Sequence, residues 1–225
     1  MTDVEVQPLA RGQQLMLQRL LAAHVLSDDQ AKTLYQELRQ GDDNDASQQD
    51  PQSLEEAFQE INAQLTKAFG LEVATVSMSL DDKTTTTNRP KHTKYHAIIN
   101  QHADAVAKQA FSHSFNPHER SMIRLILEKL VTDGVDTPCQ RKDLVNLRAE
   151  LVEPYKLTLQ GAEHVVETLV QEQWLVVSES ATQSRRDSMQ ATLQLGPRSY
   201  LELSHLLTDL GLPQEELPQF IFHRM

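Results

Sequence analysis

His92 and His96 stand four residues apart, the spacing that sets two imidazoles on one face of a helix and that metal sites use. Here the pair opens a run, KYHAIIN, that reads as a strand, and neither a carboxylate nor a third ligand lies close by. A structural zinc takes four ligands and a catalytic one three, and His102 and His118 do not complete such a set. Cys139 follows a proline and precedes Gln-Arg-Lys, a setting that could activate a thiol. As the one cysteine of the chain it forms no internal disulfide and no cysteine metal site, and it reads as a loop residue. Serine, histidine and acidic residues fall into no nucleophile elbow, and seven glycines in 225 residues form no phosphate-cradling loop. No catalytic residue, metal ligand or cofactor is assigned to this chain.

Cations that could meet phosphate lie in three places. Arg89, Lys91 and Lys94 share one polar stretch, Arg185 and Arg186 another, and Arg141, Lys142 and Arg148 fall on a short predicted helix. Cations at loop tips either keep hairpin edges from pairing with other chains or position a duplex through its backbone without reading sequence; both readings stay open. The chain as a whole opposes phosphate. Its net charge is −11, and residues 1–60 hold 12 acids against four bases, a net of −8. Affinity for nucleic acid is largely electrostatic, so only the local clusters could supply it.

The elements that must position these side chains follow from periodicity. An apolar fraction of 39% suits a folded chain with a real core. No apolar run approaches the roughly 20 residues of a membrane helix, and the start, MTDVEVQPLARGQQ, lacks a secretory signal. A reducing, intracellular setting is expected. A first helix spans about Leu9 to Val25, with Leu17, Leu20, Leu21 and His24 on its core stripe and Leu15, Met16 and Ala22 outside it. Ser27 and Gln30 form a capping box for a second helix that ends near Gln40, and Ser53 and Glu56 form another. The third helix carries Leu54, Phe58, Ile61, Leu65 and Phe69 on one face, and Gly70 ends it. LEVATVSMSL and KYHAIIN then read as two strands around a polar tip.

The same order returns after a connecting helix. Asn116-Pro117-His118-Glu119 supplies an N-cap, a proline at the first helical position and an acid in the first turn. RKDLVNLRAEL is a short second helix. LTLQGAEHVVETLVQEQ is a third, capped by Thr158, with Ala162, Val165, Val166, Leu169 and Val170 inward. Trp174 leads into a second hairpin, and Gly196-Pro197 opens another helix. Three helices closed by a hairpin make a winged helix, a relative of helix-turn-helix. The fold class expected is mainly α with short β-hairpins (α+β), as tandem winged-helix domains. Their bounds are 1–100 and 117–212, with a connecting helix over 101–116 and a tail over 213–225.

In order and spacing these features resemble the non-SMC element one family, the RING-bearing subunit of the structural-maintenance-of-chromosomes five–six complex. LMLQRLLAAHVLSDDQAKTLY looks like that family's opening helix pair. LEEAFQEINAQL with LEVATVSM looks like its third helix and first wing strand. KYHAIIN, QEQWLVVSES and LQLGPRSYLEL are similar to its later wing elements. The resemblance implies a nuclear, chromosome-associated scaffold in DNA repair and recombination. Its implied partners are a MAGE-like winged-helix subunit (non-SMC element three) and the kleisin (non-SMC element four), with duplex DNA engaged through the complex. It also implies a RING-type ubiquitin ligase module that holds zinc. Such a module needs cysteines that this sequence does not carry before QFIFHRM, so it is expected beyond Met225.

Both third helices bear acids where a DNA-reading helix needs neutral or basic residues: Glu55, Glu56 and Glu60 on one, Glu163, Glu167 and Glu172 on the other. Their faces are therefore expected to grip protein. The partner-binding residues expected are Leu15, Met16 and Ala22 on the first helix and Leu217, Phe220 and Phe222 in the tail. Those expected to touch nucleic acid are Arg89, Lys91, Lys94, Arg185 and Arg186. The rival reading is an autonomous winged-helix DNA-binding regulator, whose affinity would fall steeply with salt.

Overall fold

The computed structural model describes residues 9–40, 53–79, 92–100, 115–135, 137–178 and 190–223. The chain divides into two compact units. One holds residues 1–76, 94–101 and 220–225, and the other 77–93 with 102–219. The expected connecting helix lies almost wholly outside the described residues. Among those described, no helix is long and apolar enough to cross a membrane.

The first unit runs α1 (Arg11–Ala23), β1 (Val25–Ser27), α2 (Asp28–Gln40), α3 (Leu54–Phe69), β2 (Leu71–Ser79) and β3 (His92–Asn100). Ser27 and Gln30 bond each other's backbone N–H at the start of α2. Ser53 and Glu56 do the same at α3, and Gly70 leaves α3 in the left-handed conformation at φ 64°. Met16, Leu20, Ala31, Phe58, Ile61 and Leu65 meet in the core. α1 is rotated from its expected phase. Its buried side is Gln13, Met16 and Leu20, while Leu21 is 53% exposed and His24 is at the surface. Gln13 tolerates burial because its Oε1 accepts the Ala10 N–H and its amide donates to Glu60. A polar residue in the core phase thus disguised the stripe. Phe69, also expected inward, is 70% exposed; it is the last residue of the helix, one turn past Leu65.

The second unit repeats the first: α4 (Pro117–Thr132), β4 (Cys139–Gln140), α5 (Arg141–Asn146), α6 (Leu159–Gln171), β5 (Leu175–Val177) and β6 (Thr192–Leu195). A short 3-10 turn, Leu147–Glu150, extends α5. The Asn116 side chain accepts from the His118 and Glu119 N–H groups at α4, and Thr158 accepts from Gly161 at α6. α7 (Pro197–Asp209) follows the hairpin. Met122, Ile126, Leu144, Val165, Leu169 and Trp174 are buried to 1% exposure or less.

Sheet topology exposes the duplication most directly. In the second unit the strand order is β4-β6-β5; in the first it is β1-β3-β2, followed by β7 (Phe220–Phe222). In each, a short strand between the first two helices pairs antiparallel with the second hairpin strand, as Val25↔Ala97 and Cys139↔Leu193 show. This arrangement is a winged helix on an α+β plan, present twice. The strand β7 departs from expectation. Part of the tail expected to lead away over 213–225 instead lies antiparallel on β2, with Ala74 opposite Phe222 and Val76 opposite Phe220.

Candidate functional site

Each third helix buries its apolar stripe and turns acids outward. On α3, Glu55 and Glu56 are exposed, and Glu56 is held by the capping box with Ser53. On α6, Glu167 accepts from Arg141 at 2.5 Å. That guanidinium holds the Glu167 carboxyl below its usual range, with Gln171 adding to the effect. Arg141, grouped by sequence with cations that could meet phosphate, is thereby committed within its own unit. Glu172 is likewise internal: it accepts from Trp174 Nε1 at 3.0 Å and from Arg198 Nη1 at 3.1 Å. Arg198 also bonds Glu202 at 2.8 Å and stacks 4.1 Å from the Trp174 ring centroid. Glu172 is therefore half of a structural pair rather than a surface acid that repels phosphate.

The predicted partner residues separate. Leu15 is 37% exposed and Ala22 is exposed, so both lie on the free side of α1. Met16 is fully buried and cannot be an outer contact; it belongs to the core that Gln13 helps to orient. In the tail, Leu217 and Phe220 are half-buried and Phe222 is exposed. The Phe220 and Phe222 rings stack on one another at 6.2 Å. Of the five expected nucleic-acid residues, Arg89, Lys91, Arg185 and Arg186 lie outside the described residues. Lys94 is exposed on β3.

The first unit also assembles a group that sequence spacing did not join. Thr75 Oγ1 lies 2.7 Å from His96 Nδ1 and 2.7 Å from His223 Nε2, and His96 Nε2 lies 3.3 Å from Asp28 Oδ1. Burial pushes His96 down to about 4, with Asp28 opposing, so the ring is neutral near pH 7. One neutral assignment satisfies every contact. His96 Nε2–H donates to Asp28, the Thr75 hydroxyl donates to His96 Nδ1, and Thr75 Oγ1 accepts from His223 Nε2–H. Burial also lowers His223, against the pull of Glu55. Burial alone would raise Asp28, but the Lys32 ammonium and His96 hold it below its usual value.

Acid, imidazole and hydroxyl in a row resemble the parts of a nucleophilic site. Thr75 is only 1% exposed, however, and its second side is filled by His223. Its hydroxyl is thus engaged on both sides by the two imidazoles. The cluster instead fixes β7. Asn62, 3% exposed on α3, donates to the Val73 and His223 carbonyls and accepts from the Val73 N–H at 2.6 Å. The Phe58 ring packs 5.0 Å from His96 and 5.3 Å from His223. Beside these groups opens a cavity of about 370 Å³, edged by Asp28, Lys94 and Phe222. His96 therefore serves docking of the tail, while His92 is exposed and takes no part in the cluster. Among the described residues no three His, Cys, Asp or Glu side chains gather as a metal site. Asn62, in the core phase between Ile61 and Leu65, was the one sequence signal of this arrangement.

A family model described as the Nse1 non-SMC component of SMC5-6 complex matches residues 13–203. No curated protein matches the chain. A solved structure titled "Nse1-Nse3-Nse4 complex" is similar to it with a TM-score of 0.64 and 16% identity, covering 90% of this chain and 75% of that one. Identity that low speaks for the fold. The family match is broader in meaning, because it runs from α1 of the first unit into α7 of the second. The chain belongs to the Nse1 family, the non-SMC component of the SMC5-6 complex.

Proposed function

We propose that the chain is a scaffold subunit whose winged helices dock an Nse3-type, MAGE-like winged-helix partner and an Nse4-type kleisin. The observation that carries this reading is the chemistry of α3 and α6. α3 presents the exposed Glu55 and Glu56, which phosphates would repel, and α6 carries no lysine or arginine of its own while its Glu167 draws Arg141 in, so neither helix is suited to press into a major groove. Family membership and the fold shared with a chain of the Nse1-Nse3-Nse4 complex point the same way. Duplex contact is then peripheral, through wing cations such as Lys94, Arg185 and Arg186. The setting is the nucleus and the chromosome, in DNA repair and recombination.

Co-expression of the chain with the two partner subunits from its own source tests this. A tagged chain is expected to bring both down in stoichiometric amounts. The regulator reading predicts instead that the isolated chain binds duplex with a log–log salt slope of about −0.9 per phosphate neutralised. Under that reading Arg185→Glu with Arg186→Glu would weaken binding uniformly across sequences. Partners left behind and tight duplex binding together would overturn the scaffold reading.

The ubiquitin ligase role and its zinc attach to a RING-type module that we place beyond residue 225. The described residues do not fit a zinc site, so no ligase step is derived from them. RING-spaced cysteine and histidine codons after Met225 in the parent gene would support the assignment, and a reading frame without them would refute it.

A further inference from the structure

We infer that the free face of α1 is a docking site for an acidic amphipathic helix contributed by a partner subunit, an inference that rests on the scaffold reading above. The helix is RGQQLMLQRLLAA. Gln13, Met16 and Leu20 turn it inward, so the opposite side carries Arg11, Leu15, Gln18, Arg19, Leu21 and Ala22, all exposed. Leu15 is 37% exposed and Leu21 53%. At 100° per residue these six lie within one continuous stripe. Apolar side chains at helical spacing, with cations among them, form the complement of a helix with leucine-like residues on one side and acids beside them.

Charge selects the partner. α1 has two arginines and no acid in a chain of net charge −11. Among the described residues neither Arg11 nor Arg19 has a carboxylate partner, whereas Lys32 bonds Asp28, Lys129 bonds Asp133, Arg141 bonds Glu167 and Arg198 bonds two acids. α1 differs from the other helices with unpaired cations in having exposed leucines beside its arginines and no acid of its own. A second copy of this chain would bring arginine against arginine. A duplex would gain nothing from Leu15 and Leu21. Its extended phosphate field would also reach the exposed Asp29 and Glu37 of the next helix. A single acidic helix engages the stripe and avoids both penalties.

The test uses the assembled complex of this chain with its MAGE-like and kleisin subunits. Affinity is measured for wild type, for Arg11→Glu with Arg19→Glu, and for Arg11→Lys with Arg19→Lys. A photo-crosslinker at position 15 reports the segment opposite. The expected result is about a tenfold loss on charge reversal, near-normal binding for the lysine pair, and weakening of the wild type with salt. The crosslinked segment should be a partner helix with acids at three- and four-residue spacing. Both arginines are exposed, so thermal melting of the reversed variant should match wild type. An intact complex indifferent to reversal, or a crosslink to a segment without acids, to a second copy or to duplex, overturns this inference alone. Failure of the wild-type chain to form any complex overturns the scaffold reading and takes this inference with it.

Discussion

His96 shows how a residue typical of catalytic sites can be spent on structure. Buried at 3% exposure, it stays neutral, whereas in the unfolded chain it titrates near 6.5. As pH falls, the unfolded state takes the proton first. The stabilisation is therefore complete above pH 6.5 and is lost as pH falls toward 4, by about 3 kcal/mol if the whole shift is realised. His223 is depressed in the same direction and adds to the loss. Asp28 is held low and matters only below its ordinary value, in a separate range. Urea denaturation at pH 7 and pH 5 should show this drop, and His96→Asn should flatten it; a pH-independent midpoint would contradict the neutral assignment.

Arg198 is the second such residue. Its guanidinium is shared among Glu172, Glu202 and the Trp174 ring. Arg198→Met removes one partner and leaves two carboxylates in a mostly dry place, at about 3 kcal/mol. Arg198→Lys should recover little of that, because lysine has no planar fork to serve both acids and a ring at once. Trp174 is the one tryptophan of the chain, so its emission in a thermal melt reports the change directly.

At the scale of elements, Asn62 decides whether β7 stays on its sheet. Asn62→Ala leaves the Val73 N–H without its side-chain acceptor and two carbonyls without a donor, at about 2–4 kcal/mol. Amide exchange over 220–223 should accelerate more than exchange within α1. Gly196 plays a comparable part in the second wing: its N–H donates to the Trp174 carbonyl, and an added Cβ would lie 2.3 Å from the Gln173 carbonyl oxygen. Gly196→Ala should therefore cost about 1–3 kcal/mol, read by the same tryptophan.

These elements also show what the sequence could disclose. Helix starts were legible because their signals are local: Ser27 with Gln30, Ser53 with Glu56, Asn116 with Glu119, and Thr158 with Gly161 each close within three residues. The hairpin strands were legible from alternation. The strands β1, β4 and β7 were not, since two or three residues carry no period and their identity comes from partners 52 to 148 positions away. The phase of α1 was hidden by Gln13, whose burial depends on Glu60, 47 residues on. Asp28, Thr75 and His223 likewise meet only through the fold.

For the whole molecule, acidity and fold have to be reconciled. Two winged helices, a form often used to read DNA, are built here with exposed acids on α3 and with Arg141 held by Glu167 of α6. What remains exposed and apolar, on α1 and along β7, suits other polypeptides. The most direct measurement is the mass in solution, by light scattering behind size exclusion, of the chain mixed with equal amounts of the MAGE-like and kleisin subunits. The account predicts one species carrying one copy of each. Three separate peaks, with the chain eluting alone at its own mass, would contradict it.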